Sequence, residues 1–126
     1  MLSASHRLHA DRFTPEQNRQ AYGKCNNPHG HGHNYVVEVL VSGPVDPEKG
    51  MVIDLADLDG IFAAQVMERF DHRSLNLDPA FAGQVPTTEN LCQVVFGLLE
   101  DCLPAGRLES VRIEETENNF FESYRQ

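Results

Sequence analysis

At 126 residues the chain is sized for one domain, read as 1–126, with enough length to bury a core. Hydrophobic residues at 40% and charged residues at 23% describe an ordinary globular composition. A net charge of −9 argues against nucleic acid and anionic membrane surfaces as partners, while leaving room for a local basic patch that takes a small anion.

Met1 to Arg7 contains no apolar run resembling a signal peptide, and no stretch approaches the length of a membrane span, so the expected location is the cytoplasm. Leu2, Ala4, His6 and Leu8 alternate with Ser3, Ser5 and Arg7, the period-two pattern of a half-buried strand. His6 falls on the apolar side, where a histidine is ordinarily a hydrogen-bonded core residue. Thr14, Pro15 and Gln17 then open a short helix, with threonine as N-cap, proline at the first helical position and glutamine closing a capping box. That helix ends near Tyr22-Gly23.

The stretch Cys25-Asn26-Asn27-Pro28-His29-Gly30-His31-Gly32-His33-Asn34-Tyr35 holds the most chemistry. Its His-Gly-His pair runs straight into the strand-like segment Tyr35 to Val41. Alternate residues of an extended chain face the same way, so His31 and His33 project together about 6.6 Å apart at Cα and can share one metal ion. His29 has the same parity; spacing therefore admits 29 with 31 or 31 with 33, whereas 29 with 33 stand about 13 Å apart. Gly30 and Gly32 suit a close backbone approach. His31 and His33 also share the parity of Tyr35, Val37, Val39 and Val41. Together with His6 they would give three inward-facing histidines on two strands and leave a fourth coordination position open, the ligand count of a catalytic zinc. The plain alternative is a histidine-rich loop without metal.

Turn formers from Ser42 to Gly50 join this strand to Met51-Val52-Ile53, read as a hairpin with a long connection. Asp54 caps a second helix, with Leu55, Leu58, Phe62 and Val66 on one face and an end near Phe70. A third helix follows Pro86-Thr87-Thr88-Glu89, carries Leu91, Val95, Leu98 and Cys102 on one face, and stops before Pro104. One polar face on each helix predicts packing against a sheet. Two further strands flank Glu117-Asn118-Asn119; Val111, Ile113 and Glu115 share one face, so Glu115 either needs a partner in the core or lies past the strand end in solvent. Three cysteines without a CxxC read as free thiols, with Cys92 and Cys102 as small buried apolar groups.

Ser3-Ala4-Ser5-His6-Arg7-Leu8, Cys25 to Tyr35, Asp71-His72 with Leu75-Asn76-Leu77-Asp78, Pro86-Thr87-Thr88-Glu89-Asn90 and Glu115-Thr116-Glu117-Asn118-Asn119 occur in the order found in the 6-pyruvoyl-tetrahydropterin synthase family, which the chain resembles over nearly its whole length. The resemblance implies an α+β tunnelling fold: a four-stranded antiparallel sheet with two main helices on one face, subunits joining into a barrel and two trimers stacking into a homohexamer. Carried over by residue, it implies zinc held by His6, His31 and His33, a catalytic group of Cys25, Asp71 and His72, and substrate binding by Glu115, Thr87 and Thr88.

The substrate so implied is 7,8-dihydroneopterin triphosphate, with Cys25 as general base, Asp71 orienting His72 in a proton relay, and Glu115 receiving the pterin ring. Loss of triphosphate and tautomerisation would give 6-pyruvoyl-tetrahydropterin. The redox change is internal, and the chain has neither a dinucleotide fingerprint nor a P-loop. A second branch of the family, 6-carboxy-tetrahydropterin synthase, uses the same substrate; the five residues between Cys25 and His31 and the segment after Glu115 resemble the pyruvoyl branch instead. A non-catalytic zinc- or pterin-binding homologue is the remaining alternative, suggested by His29 where asparagine is more usual.

Overall fold

In a computed structural model of the chain, residues 2–26, 30–116 and 119–125 are described, apart from the side chains at 24, 25 and 116. His29 and the tip at 117–118 therefore lie outside the described residues, as does the Cys25 side chain. The elements in order are β1 (Leu2–His6), α1 (Pro15–Tyr22), a 3-10 turn (Gly23–Asn26), β2 (His31–Val41) and α2 (Leu55–Phe62). A π-helical turn (Ala63–Met67) carries α2 into α3 (Glu68–Phe70), followed by β3 (Arg73–Ser74), α4 (Thr88–Glu100), β4 (Leu108–Thr116) and β5 (Asn119–Tyr124).

The strands form one sheet in the order β3-β1-β2-β4-β5. Its four long members pair antiparallel, with Ala4 opposite His33, His6 opposite His31 and Val37 opposite Ile113. The expected four-stranded antiparallel sheet needs a correction: β3 adds a parallel edge to β1 through Ala4↔Arg73 and Ser5↔Ser74, making the sheet five-stranded and mixed. Two residues cannot display a period of two, so no sequence pattern marks this strand.

Alternation sorts the rest. Leu2, Ala4 and His6 of β1, Tyr35 of β2 and Val111 and Ile113 of β4 are buried on one face. Val66 and Phe70 pack there from the second helical segment, as do Leu91, Cys92, Val95 and Leu99 from α4. Each fully buried leucine or valine among these contributes about 1.5–3 kcal/mol against exposure. Thr14 caps α1 through the Gln17 N–H, with the Gln17 side chain returning to the Thr14 N–H to complete the capping box. Asp54 accepts from the Ala56 N–H to start α2.

Three sequence expectations are corrected. Met51-Val52-Ile53 is not a strand: Asp46 N–H donates to the Met51 carbonyl, Arg107 Nη1 donates to the Val52 carbonyl at 2.8 Å, and both sides of β2 are already paired. The buried stripe of α4 runs through Leu91, Cys92, Val95 and Leu99, with Leu98 only half-buried; the helix ends at Glu100, so Cys102 is exposed. In the second helical segment Val66 is buried but Leu55 is 64% exposed. Among the described residues no helix is long and apolar enough to cross a membrane.

Candidate metal centre and active site

Because Ala4 pairs with His33 and His6 with His31, the β1–β2 register sets the histidine side chains on the helix-covered face. His6 is 1% exposed, and its Nε2 stands 3.0 Å from His33 Nε2. Glu115 continues the buried parity of β4 to the same spot, with Oε1 2.9 Å from His33 Nε2 and 4.0 Å from His6 Nε2. Its side chain is 11% exposed, so the carboxylate belongs inside rather than past the strand end. Thr88 Oγ1 donates to Glu115 Oε2 at 2.8 Å and Asn119 Nδ2 at 3.2 Å, which answers the demand for partners that burial makes.

Among the described residues, His6, His33 and Glu115 form the group of ligand atoms close enough to hold one metal ion. Tetrahedral zinc with bonds of 2.0–2.1 Å separates its ligand atoms by about 3.3 Å, and the three separations here, 3.0, 2.9 and 4.0 Å, lie on either side of that value. The donor chemistry also fits. His6 Nδ1 lies 2.9 Å from the Pro86 carbonyl and 3.3 Å from the Tyr35 hydroxyl; the carbonyl can only accept, so the ring proton sits on Nδ1 and the Nε2 lone pair faces the cluster. Burial, followed by the neighbouring His33, holds His6 below the ordinary histidine range, and burial likewise lowers His33 against the raising effect of Glu115. Both rings are thus biased toward the neutral form that ligates metal.

His31 lies outside that trio. It is exposed at the start of β2, its ring centroid 4.7 Å from that of His33. Of the two glycines beside it, Gly30 is the one whose backbone favours glycine, with φ of +83°; a Cβ there would meet the His6 carbonyl oxygen at an ordinary 3.5 Å, and nothing crowds Gly32.

The two threonines divide their work. Thr87 is the N-cap of α4, accepting from the Asn90 N–H, while Thr88 is buried and aimed at Glu115. Asp71 follows α3 and accepts from the Ser3 N–H at 2.9 Å. His72 adopts a left-handed backbone with φ of +59°, gives its N–H to the Ser3 carbonyl and places Nδ1 3.4 Å from Asp71 Oδ1. Its ring is 73% exposed and lines, with Ser5, His33, Asn34 and Ser74, a cavity of about 380 Å³. Cys25 is carried by the 3-10 turn Gly23–Asn26. Sequence reasoning passed over Tyr35 and Pro86 as supports of His6. The parity of Tyr35 with His33 was a readable signal for the first; nothing marks a main-chain carbonyl such as that of Pro86.

The whole chain, residues 1–126, matches the family model described as 6-pyruvoyl tetrahydropterin synthase. It is 48% identical over 119 residues to the Homo sapiens protein named 6-pyruvoyl tetrahydrobiopterin synthase, spanning 94% of this chain and 82% of that one. The fold matches the structure of Caenorhabditis elegans 6-pyruvoyl tetrahydropterin synthase with a TM-score of 0.90 and 41% identity, covering 99% and 90% of the two chains. An Archaeoglobus fulgidus protein whose name includes 6-carboxy-5,6,7,8-tetrahydropterin synthase is more distant, 36% identical over 110 residues and 87% of each chain. With the family model matched from end to end and close relatives sharing nearly half its residues, the chain belongs to the 6-pyruvoyl tetrahydropterin synthase family.

Proposed function

We propose that this chain is a carbon–oxygen lyase that converts 7,8-dihydroneopterin triphosphate to 6-pyruvoyl-tetrahydropterin with elimination of triphosphate, working as one cytoplasmic domain over 1–126. The observation that carries this is the 48% identity over 94% of the chain to a protein named for that activity, against 36% for the relative named for the carboxy reaction. The reading as one domain is supported by the family match over residues 1–126, and the cytoplasmic reading by the free thiols of Cys92 and Cys102.

The metal in this reading is zinc, held by His6, His31 and His33, with Glu115 free to take the pterin. Support comes from the converging Nε2 atoms of His6 and His33, from the His31 ring next to His33, and from the partners that already orient Glu115. A bound zinc would act as a Lewis acid toward the side-chain hydroxyls of the substrate. The protein's own groups do the rest. Glu115 accepts two parallel hydrogen bonds from the amide N–H and exocyclic amine of the pterin, and Thr88 and Thr87 steady that edge of the pocket. Cys25, as thiolate, takes the carbon-bound proton; Asp71 orients His72, which exchanges protons with substrate and thiol.

The assembly in this reading is a homohexamer of two stacked trimers. It is supported by the edge position of β5 and by a sheet face on which, among the described residues, Val36, Leu40 and Phe120 are exposed.

Catalysis is tested by triphosphate release from the substrate by zinc-loaded protein. The expected result is turnover that falls by about a hundredfold or more in Cys25→Ala while zinc stays bound. Full turnover in that variant removes Cys25 from the role of base, and no turnover in the parent brings the zinc- or pterin-binding homologue forward.

A further inference from the structure

The 3-10 turn that carries Cys25 ends on Asn26, which is only 8% exposed although it lies in a polar loop. Its side-chain amide nitrogen donates to the Leu8 carbonyl at 2.8 Å and reaches His9 Nδ1 at 3.0 Å. Its own carbonyl accepts from Arg7 Nε at 3.3 Å. The amide has two hydrogens and here meets two acceptors, so His9 must present a lone pair at Nδ1 and carry its proton on Nε2, which stands 3.7 Å from Asp11. On the other side of the same backbone, Asn76 accepts from the Arg7 N–H at 2.6 Å and donates to the Arg7 carbonyl at 2.9 Å, continuing the strand bonding of β1 past its end.

Arg7, Leu8 and His9 are thereby gripped between two asparagine side chains directly after His6. We propose that Asn26 is a positioning residue for the reaction: it fixes the Cys25-bearing turn to the exit of β1, so that the backbone carrying the proposed base and the backbone carrying a proposed metal ligand hold one register. This rests on the reading of Cys25 as base. The link is made by a donor-only group whose two hydrogens are both used, and a carboxylate in its place would aim lone pairs at the Leu8 carbonyl oxygen and His9 Nδ1. Displacing a reacting group by about 1 Å costs on the order of a hundredfold in rate.

The test is Asn26→Asp in the zinc-loaded full chain, read by kcat, KM, zinc content and the pH profile of iodoacetamide alkylation at Cys25, resolved by peptide mass so that Cys92 and Cys102 do not contribute. The expected result is a kcat lower by about ten- to a hundredfold with KM within about threefold, full zinc content and a displaced alkylation profile. His9→Asn, which keeps an acceptor in place of Nδ1, is expected to hold kcat within about threefold. A parental kcat with a parental alkylation profile in Asn26→Asp overturns the proposal, and so does loss of zinc in step with kcat, which would put the effect at His6. If Asn26→Asp does not fold, Asn26→Ser carries the same expectations and is overturned by the same results. If Cys25→Ala keeps full turnover, the base assignment fails on its own, and the alkylation profile alone decides the role of Asn26.

Discussion

Glu115 holds the most demanding position of any single residue in the site. Its carboxylate is within 2.9 Å of His33 and also bonded to Thr88 and Asn119, so it can either complete a metal site or receive a ring with two N–H donors. The two roles make opposite predictions. With the histidine set as ligands, His31→Ala is expected to weaken zinc binding by about a hundredfold or more. Glu115→Gln should keep zinc and raise KM by about ten- to a hundredfold, the value of a hydrogen bond to a charged group. Competition titration with a chelator and steady-state kinetics check both. Zinc lost from Glu115→Gln and kept by His31→Ala would make the carboxylate the third ligand. Much of this was legible in parity alone: His6, His33, Tyr35 and Glu115 each follow the apolar side of a strand, and the fold brings those sides together. What parity could not supply is the β1–β2 register, which decides that His33 faces Ala4 and that His31 stands at the exposed end. Nor does any spacing rule reveal that Asn26 is buried.

Among the elements, the segment from Arg69 to Asp78 links α3 to the edge of the sheet, and an ion pair joins its two ends. Arg69 Nη2 and Nε meet the two Asp78 oxygens at 2.7 and 2.9 Å, and Asp78 Oδ1 also accepts from the Ala80 N–H. The Arg69 hydrogen bonds hold the Asp78 carboxyl below its ordinary range. A carboxylate with a lowered folded pKa stabilises the protein above its unfolded value near pH 4 and loses that contribution as pH falls through the folded value. Asp78→Asn is therefore expected to cost about 1 kcal/mol near neutral pH, a modest figure because Arg69 is 34% exposed, with the difference from the parent closing below about pH 4. Chemical denaturation at several pH values measures it; a difference that persists unchanged at pH 3 would contradict the assignment. The caps at Thr14 and Asp54 were readable, since each is a side-chain acceptor ahead of a periodic run. β3 was not, being made by the His72 turn and two residues of pairing, and the 51–53 segment read as a strand because β-branched residues there fill a turn whose carbonyl Arg107 takes. The facing of α4 slipped because period alone does not choose between the Leu98/Cys102 and Cys92/Leu99 sides of Val95.

At the scale of the whole molecule, the sheet is covered on one face only among the described residues. Across the other run Val36, Leu40, Phe120 and Tyr124, all at least 39% exposed, with Arg112 stacked 4.1 Å over Phe120 among the carboxylates of Glu38, Glu114 and Glu122. Exposed apolar side chains on such a face, beside the edge strand β5, suit burial against further copies. Light scattering is expected to give the mass of six chains, and Leu40→Glu to reduce it; a monomer in the parent protein would contradict the hexamer. The most direct measurement of the reaction is the mass of the pterin that zinc-loaded protein makes from 7,8-dihydroneopterin triphosphate without oxygen. The expected product keeps the full three-carbon side chain after triphosphate has left. A 6-carboxy product, or an unchanged substrate, would contradict the assignment.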